Sequence, residues 1–186
     1  PKTRFQFAGR LIYFAIHHHP NRRAPSGCCL MSVRLQVAVT EGIACIKVSG
    51  PANFAAGVDF KTVVNQSCEK GGRVLLLDLT DCVNMDSTFL GILMSMTNRL
   101  DRIELLNPSD RIIDLLDSLG VMELLTVGTG ENPFDAKLQE AESTNADKRA
   151  LTEASLEAHK LLMEINPDNV PKFKDVAQFL EEDLNK

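Results

Sequence analysis

The run Val74-Leu75-Leu76-Leu77-Asp78-Leu79 constrains this chain more than any other stretch. Apolar on successive residues, it has no side to turn to water and reads as a central parallel strand covered on both faces. Thr80–Met85 follows as a short polar turn, and Asp86-Ser87-Thr88 then opens a helix over about Ser87–Asp101. The first N–H groups of a helix lack partners and carry partial positive charge, so a hydroxyl shown there sits where an anion such as phosphate is favoured. Asp, Ser and Thr are equally the ordinary N-cap residues. The two roles are compatible, with Asp86 as the cap and Ser87 as the displayed hydroxyl.

The surrounding sequence supplies an α/β frame. Val33, Leu35, Val37 and Val39 alternate with polar or small residues and form a half-buried strand. Glu41-Gly42 turns it into a second strand carrying Ile43, Cys45, Lys47 and Val48, which ends at Gly50-Pro51. A helix over about Ala52–Glu69 is expected to bury Phe54, Val58, Val63 and Val64 before Gly71-Gly72 stops it. Beyond the central pair come a strand at Ile103–Leu106, a helix at Asp110–Leu119 closed by Gly120, and a last strand or extended segment over Val121–Val127. The order β-β-α-β-α-β-α-(β) describes a small α/β sheet domain spanning about 31–130.

The two ends differ from this frame. Residues 1–30 hold Lys2, Arg4, Arg10, Arg22 and Arg23 with no acid, while the first Met is Met31. They read as a disordered or spuriously translated leader, and His17-His18-His19 as incidental. Residues 131–186 read as an acidic linker and an amphipathic helical extension. Leu151, Ala154, Ala158, Leu161, Leu162 and Ile165 share one helical face, and Phe173, Val176, Phe179 and Leu180 mark a last helix.

Charge and motif content narrow the function. The chain carries −5 overall and +5 in residues 1–30, leaving −10 for the remainder, which argues against nucleic-acid binding. No apolar run reaches the roughly 18 residues of a membrane span. The five cysteines, at 28, 29, 45, 68 and 82, have neither disulfide nor C-x-x-C spacing, as expected of a reducing cytoplasm. There is no phosphate-cradling Gly-rich loop, no G-x-S-x-G around Ser87 and no metal-ligand spacing. A Ser–His–Asp arrangement would need His159 to reach Ser87, which is not expected. A phosphorylated-aspartate receiver would need an acid pair after its first strand, where only Glu41 stands. The reading is a non-enzymatic protein without cofactor or metal.

A passive phosphoacceptor needs only an exposed hydroxyl and neighbours whose binding changes when charge arrives. On the helix, Phe89, Leu90, Ile92, Leu93, Met94, Met96 and Leu100 cover an arc of roughly 200°, wider than the approximately 100° a one-sided helix needs. Either neighbouring helices bury the extra width, or Phe89, Ile92 and Met96 form a protein-docking surface beside Ser87, with Asp86 and Thr88 in the contact set.

Leu77-Asp78-Leu79 followed by Met85-Asp86-Ser87-Thr88-Phe89-Leu90-Gly91-Ile92-Leu93 resembles the signature of STAS domains of the bacterial anti-sigma factor antagonist family. Gly50-Pro51 and Leu106-Asn107-Pro108-Ser109 also sit where that pattern places them, so the resemblance covers about residues 32–127. It implies a four- to five-stranded sheet with packed helices, here with a C-terminal helical extension, and no catalysis. It further implies that Ser87 is the phosphoacceptor of a serine kinase that is also an anti-sigma factor. A PP2C-type phosphatase would reverse the modification, and the unphosphorylated form would bind the kinase and so control transcription. Phe89 stands where the family usually has Gly, and the tail from about 132 lies outside the pattern. These departures favour the alternative: an unphosphorylated STAS scaffold or regulatory subunit, for instance of a lipid-transport ATPase complex.

Overall fold

In a computed structural model of the chain, residues 33–144 and 146–185 are described throughout, and residues 4–7 and 10–13 by their backbone. Most of the expected leader therefore lies outside the described residues. Within it, β1 (Arg4–Phe7) and β2 (Arg10–Tyr13) pair antiparallel as a sheet of their own.

The domain begins with the expected hairpin of β3 (Arg34–Thr40) and β4 (Ile43–Ala52). Glu41 and Gly42 both take positive φ, 46° and 84°, the handedness that matches a two-residue turn to the twist of its strands. Then come α1 (Phe54–Glu69), β5 (Val74–Asp78), β6 (Cys82–Met85) and α2 (Ser87–Ser95). The chain continues through β7 (Arg102–Leu106), α3 (Asp110–Ser118), β8 (Thr126–Gly128) and β9 (Gln139–Glu140), and ends with α4 (Lys148–Ile165) and α5 (Val170–Leu184). The main sheet runs β8-β7-β5-β4-β3-β9, with β6 added beside the end of β4. From β4 to β8 the pairing is parallel, and β3 pairs antiparallel on both of its sides.

The central-strand reading of β5 holds because Leu75 and Leu77 face one core while Leu76 faces another. The larger core packs α1, α2, α3 and α4 on Ala44, Ile46, Val48, Ile103 and Leu105. On the opposite face Ala38, Cys45, Leu76 and Leu106 are covered by Phe134 and Leu138. Burial there pushes the Cys45 thiol up to about 12, which keeps it protonated and unreactive.

Four local expectations change. The stretch from Thr80 to Met85 is not all turn, since β6 pairs parallel with Gly50–Ala52. The organising helix stops at Ser95, and a 3-10 turn over Met96–Asn98 replaces its last turns. Phe54 is 49% exposed and Val58 half-buried, while Phe60, absent from the expected face, is fully buried. The stretch read as an acidic linker is a fitted strap. Asn132 Nδ2 donates to buried Asp78 Oδ2 at 2.8 Å, β9 extends the sheet beside β3, and Ser143 and Thr144 hydrogen-bond Asp59 on α1. The strap therefore leads the chain from one face of the sheet, past its β3 edge, to the helices on the other.

Candidate functional site at the start of α2

Asp86 precedes α2 in extended conformation (φ −99°, ψ 167°) and caps it, Oδ1 accepting from the Phe89 N–H at 2.8 Å. Its second oxygen accepts from the Phe54 N–H, also at 2.8 Å. One carboxylate thus ties together the starts of α1 and α2, satisfying an otherwise unpaired first-turn donor in each. Asp86→Ala is expected to cost about 2 kcal/mol, the upper end for a single cap because two helices lose a partner; a urea midpoint unchanged from the parent would contradict this shared role.

Ser87, half-buried, is the first residue of α2, and its Oγ lies 3.0 Å from Nε2 of His159. This overturns the expectation that His159 would not reach Ser87. The strap delivers α4 onto α2, and α4 presents its small residues Ala154, Ser155 and Ala158 as part of its buried face. Gly91, one turn beyond Ser87 on the same face of α2, permits the approach: a Cβ there would sit 2.6 Å from the Ala158 carbonyl oxygen and 2.7 Å from its Cβ. The amphipathic spacing of α4 was legible in the sequence; the surface that it covers was not.

His159 is 6% exposed, with its ring centroid 4.8 Å from that of Phe173 on α5. Its Nδ1 is buried with no partner at hydrogen-bonding geometry. Burial holds its pKa below the usual 6.5, outweighing the upward pull of the Ser155 backbone and the Asp86 carboxylate. The site is therefore a serine hydroxyl against a neutral imidazole. Because Nδ1 meets no carboxylate, the pair lacks the orienting third member of a nucleophilic triad. Among the described residues no group of three His, Cys, Asp or Glu is placed to hold a metal.

The depressed pKa has a signed consequence. As pH falls below about 6.5, an undocked His159 takes up a proton that the docked form resists, so docking of α4 weakens on the acid side and is fully retained above that range. Hydrogen exchange across α4, corrected for intrinsic rate, is expected to quicken between about pH 7 and about pH 5. His159→Gln should remove that dependence. A pH response identical in parent and variant would assign it to other groups.

The remaining expected contact residues are not a surface. Phe89 is 0% exposed, its ring centroid 4.8 Å from that of Phe60, and Thr88, Ile92 and Met96 are buried as well. Helices α1 and α4 flank α2 and bury the extra apolar width. Among the described residues, the exposed apolar side chains at this end are Phe54 (49%) and Val83 (51%), against the expectation of a buried face for the first and a polar turn for the second. Val83 precedes the cap by three residues, and the Phe54 N–H binds it directly.

The family model of the STAS domain matches residues 34–141. Similar solved structures include the anti-sigma factor antagonist SpoIIAA in its unphosphorylated form, at 19% identity, covering 57% of this chain and 96% of that one, TM-score 0.48. The Bacillus cell-fate determinant SpoIIAA in its phosphorylated form matches at 19% identity over 57% and 99%, TM-score 0.44. An anti-sigma factor antagonist from Mycobacterium paratuberculosis matches at 16% identity over 57% and 92%, TM-score 0.47. No curated protein sequence matches the chain.

Proposed function

The chain belongs to the STAS domain family, and from that premise we propose that it is an anti-sigma factor antagonist, a protein-binding switch set by phosphorylation of Ser87. The observation that carries this reading is the placement of the Ser87 hydroxyl at the first position of α2, directly after a residue that caps the helix with its own carboxylate. In the switching step Oγ attacks the γ-phosphorus of ATP held by a serine kinase. ADP leaves, and the hydroxyl proton passes to the kinase's base. The kinase is itself the anti-sigma factor, a PP2C-type phosphatase reverses the modification, and both act in the cytoplasm.

Phe54 and Val83 supply the apolar contacts of the docking face around Asp86 and Ser87, in place of the buried Phe89, Ile92 and Met96. About two negative charges arriving beside these side chains would oppose their desolvation. Ser87→Ala is expected to bind the kinase at least as tightly as the parent, and Ser87→Asp at least about tenfold more weakly, a difference of about 1.4 kcal/mol. Equal binding by both variants would exclude the switch.

The contact of His159 with Ser87 favours a second reading, a STAS scaffold or regulatory subunit that is never phosphorylated. That reading requires Ser87 to remain unmodified when the protein is incubated with its kinase and ATP and weighed intact.

A further inference from the structure

We infer that the α4–α5 hairpin is a cis-acting cover for Ser87, and that docking of α4 and a phosphoryl group on Ser87 exclude one another. The inference rests on the phosphoacceptor reading of Ser87.

With Ser87 in its present rotamer the geometry leaves no room for both. Ser87 Oγ is already 3.0 Å from His159 Nε2, a direct hydrogen-bond distance into which no phosphorus and its three oxygens can be inserted. One turn further along the same face, Gly91 meets the Ala158 backbone so closely that not even a methyl group fits. Room for a phosphoryl group at Ser87 could come only from moving α4 away from α2, which breaks this contact. The His159 ring cannot swing aside by itself, since it is buried and packed against Phe173 of α5. To meet phosphate as a cation it would have to protonate inside a setting that holds it neutral. The Asp86 carboxylate beside Ser87 adds a like charge to any incoming phosphate.

The cover is held by Ala154, Ala158 and Leu162, which belong to the larger core, and by polar contacts around them. Lys61 Nζ pairs with Glu157 Oε2 at 3.0 Å on the surface. Asn169, between α4 and α5, donates to the Leu119 and Leu162 carbonyls at 3.0 and 2.9 Å. Release would expose Ser87 together with the α2 surface around Gly91. A kinase would reach the hydroxyl only in the released state, and the phosphoryl group would then hold the hairpin off.

The test is to install phosphoserine at position 87 of the full chain by genetic encoding and compare hydrogen exchange with the unmodified protein. Phosphoserine at exposed Ser109, at the start of α3, serves as a control. Exchange across α4 is expected to quicken by about tenfold or more with phosphoserine at 87, with β4 and β5 still protected and the Ser109 control unchanged. Unchanged protection of α4 would overturn the inference, and so would loss of protection throughout the sheet, which would mean unfolding and not release. Because the phosphate is installed directly, either failure leaves the acceptor reading to stand or fall on whether a kinase labels Ser87.

Discussion

Replacing Phe89 with alanine is expected to destabilise the domain by about 3–5 kcal/mol, measured as a shift in the urea unfolding midpoint at unchanged slope. The side chain is fully buried, and its ring meets that of Phe60 at 4.8 Å and a 39° tilt. Phe60 comes from α1 and Phe89 from α2, so the pair sits where the two helices meet. Alanine would leave a cavity beside Phe60, which cannot collapse into it without moving α1. The sequence allowed another role, since Phe stands where the family pattern has Gly beside the acceptor. A docking residue would give the opposite result: stability within about 0.5 kcal/mol of the parent and loss of partner affinity alone.

The second large effect belongs to Gly91. A valine there must displace the Ala158 backbone, since its Cβ alone would stand 2.6 Å from the carbonyl oxygen. Backbone cannot swing aside as the tip of a long side chain can, so α4 must shift along most of its contact with α2. Overpacking of this kind costs about 1–3 kcal/mol and sometimes more. The damage should be uneven. The α4–α5 hairpin is expected to lose its protection from exchange and to be cut early by protease, while β4, β5 and β7 remain protected. Gly91→Val with α4 still protected would mean that the approach of α2 and α4 is looser than these distances describe.

What could be read from the sequence followed local rules. The alternation of β3, the Glu41-Gly42 turn and the unbroken apolar run of β5 each report their surroundings through their own residues. The same holds for the Asp86 cap, whose geometry with Phe89 spans three residues. What stayed hidden depended on long-range placement. The strap is polar because it lies at an edge and over a sheet face, meeting Asp78 and Asp59 through single side chains that no period marks. Its consequence, His159 against Ser87, joins helices that no local pattern links. The width of the apolar arc on α2 was visible, but it could mean two neighbouring helices or one partner protein. Only the positions of α1 and α4 decide between these. The exposure of Phe54 was concealed for a related reason, because an aromatic in a helix's first turn fits an apolar pattern equally well on either side.

The proposed switch rests on Ser87 accepting phosphate. It is tested most directly by isolating the protein from the cells that make it, under conditions that alternately activate and silence its kinase, and mapping phosphate by mass spectrometry. A fraction of chains heavier by one phosphoryl group is expected, with that group on Ser87 and with the fraction moving between the two conditions. Chains that carry no phosphate on Ser87 in either condition would contradict it.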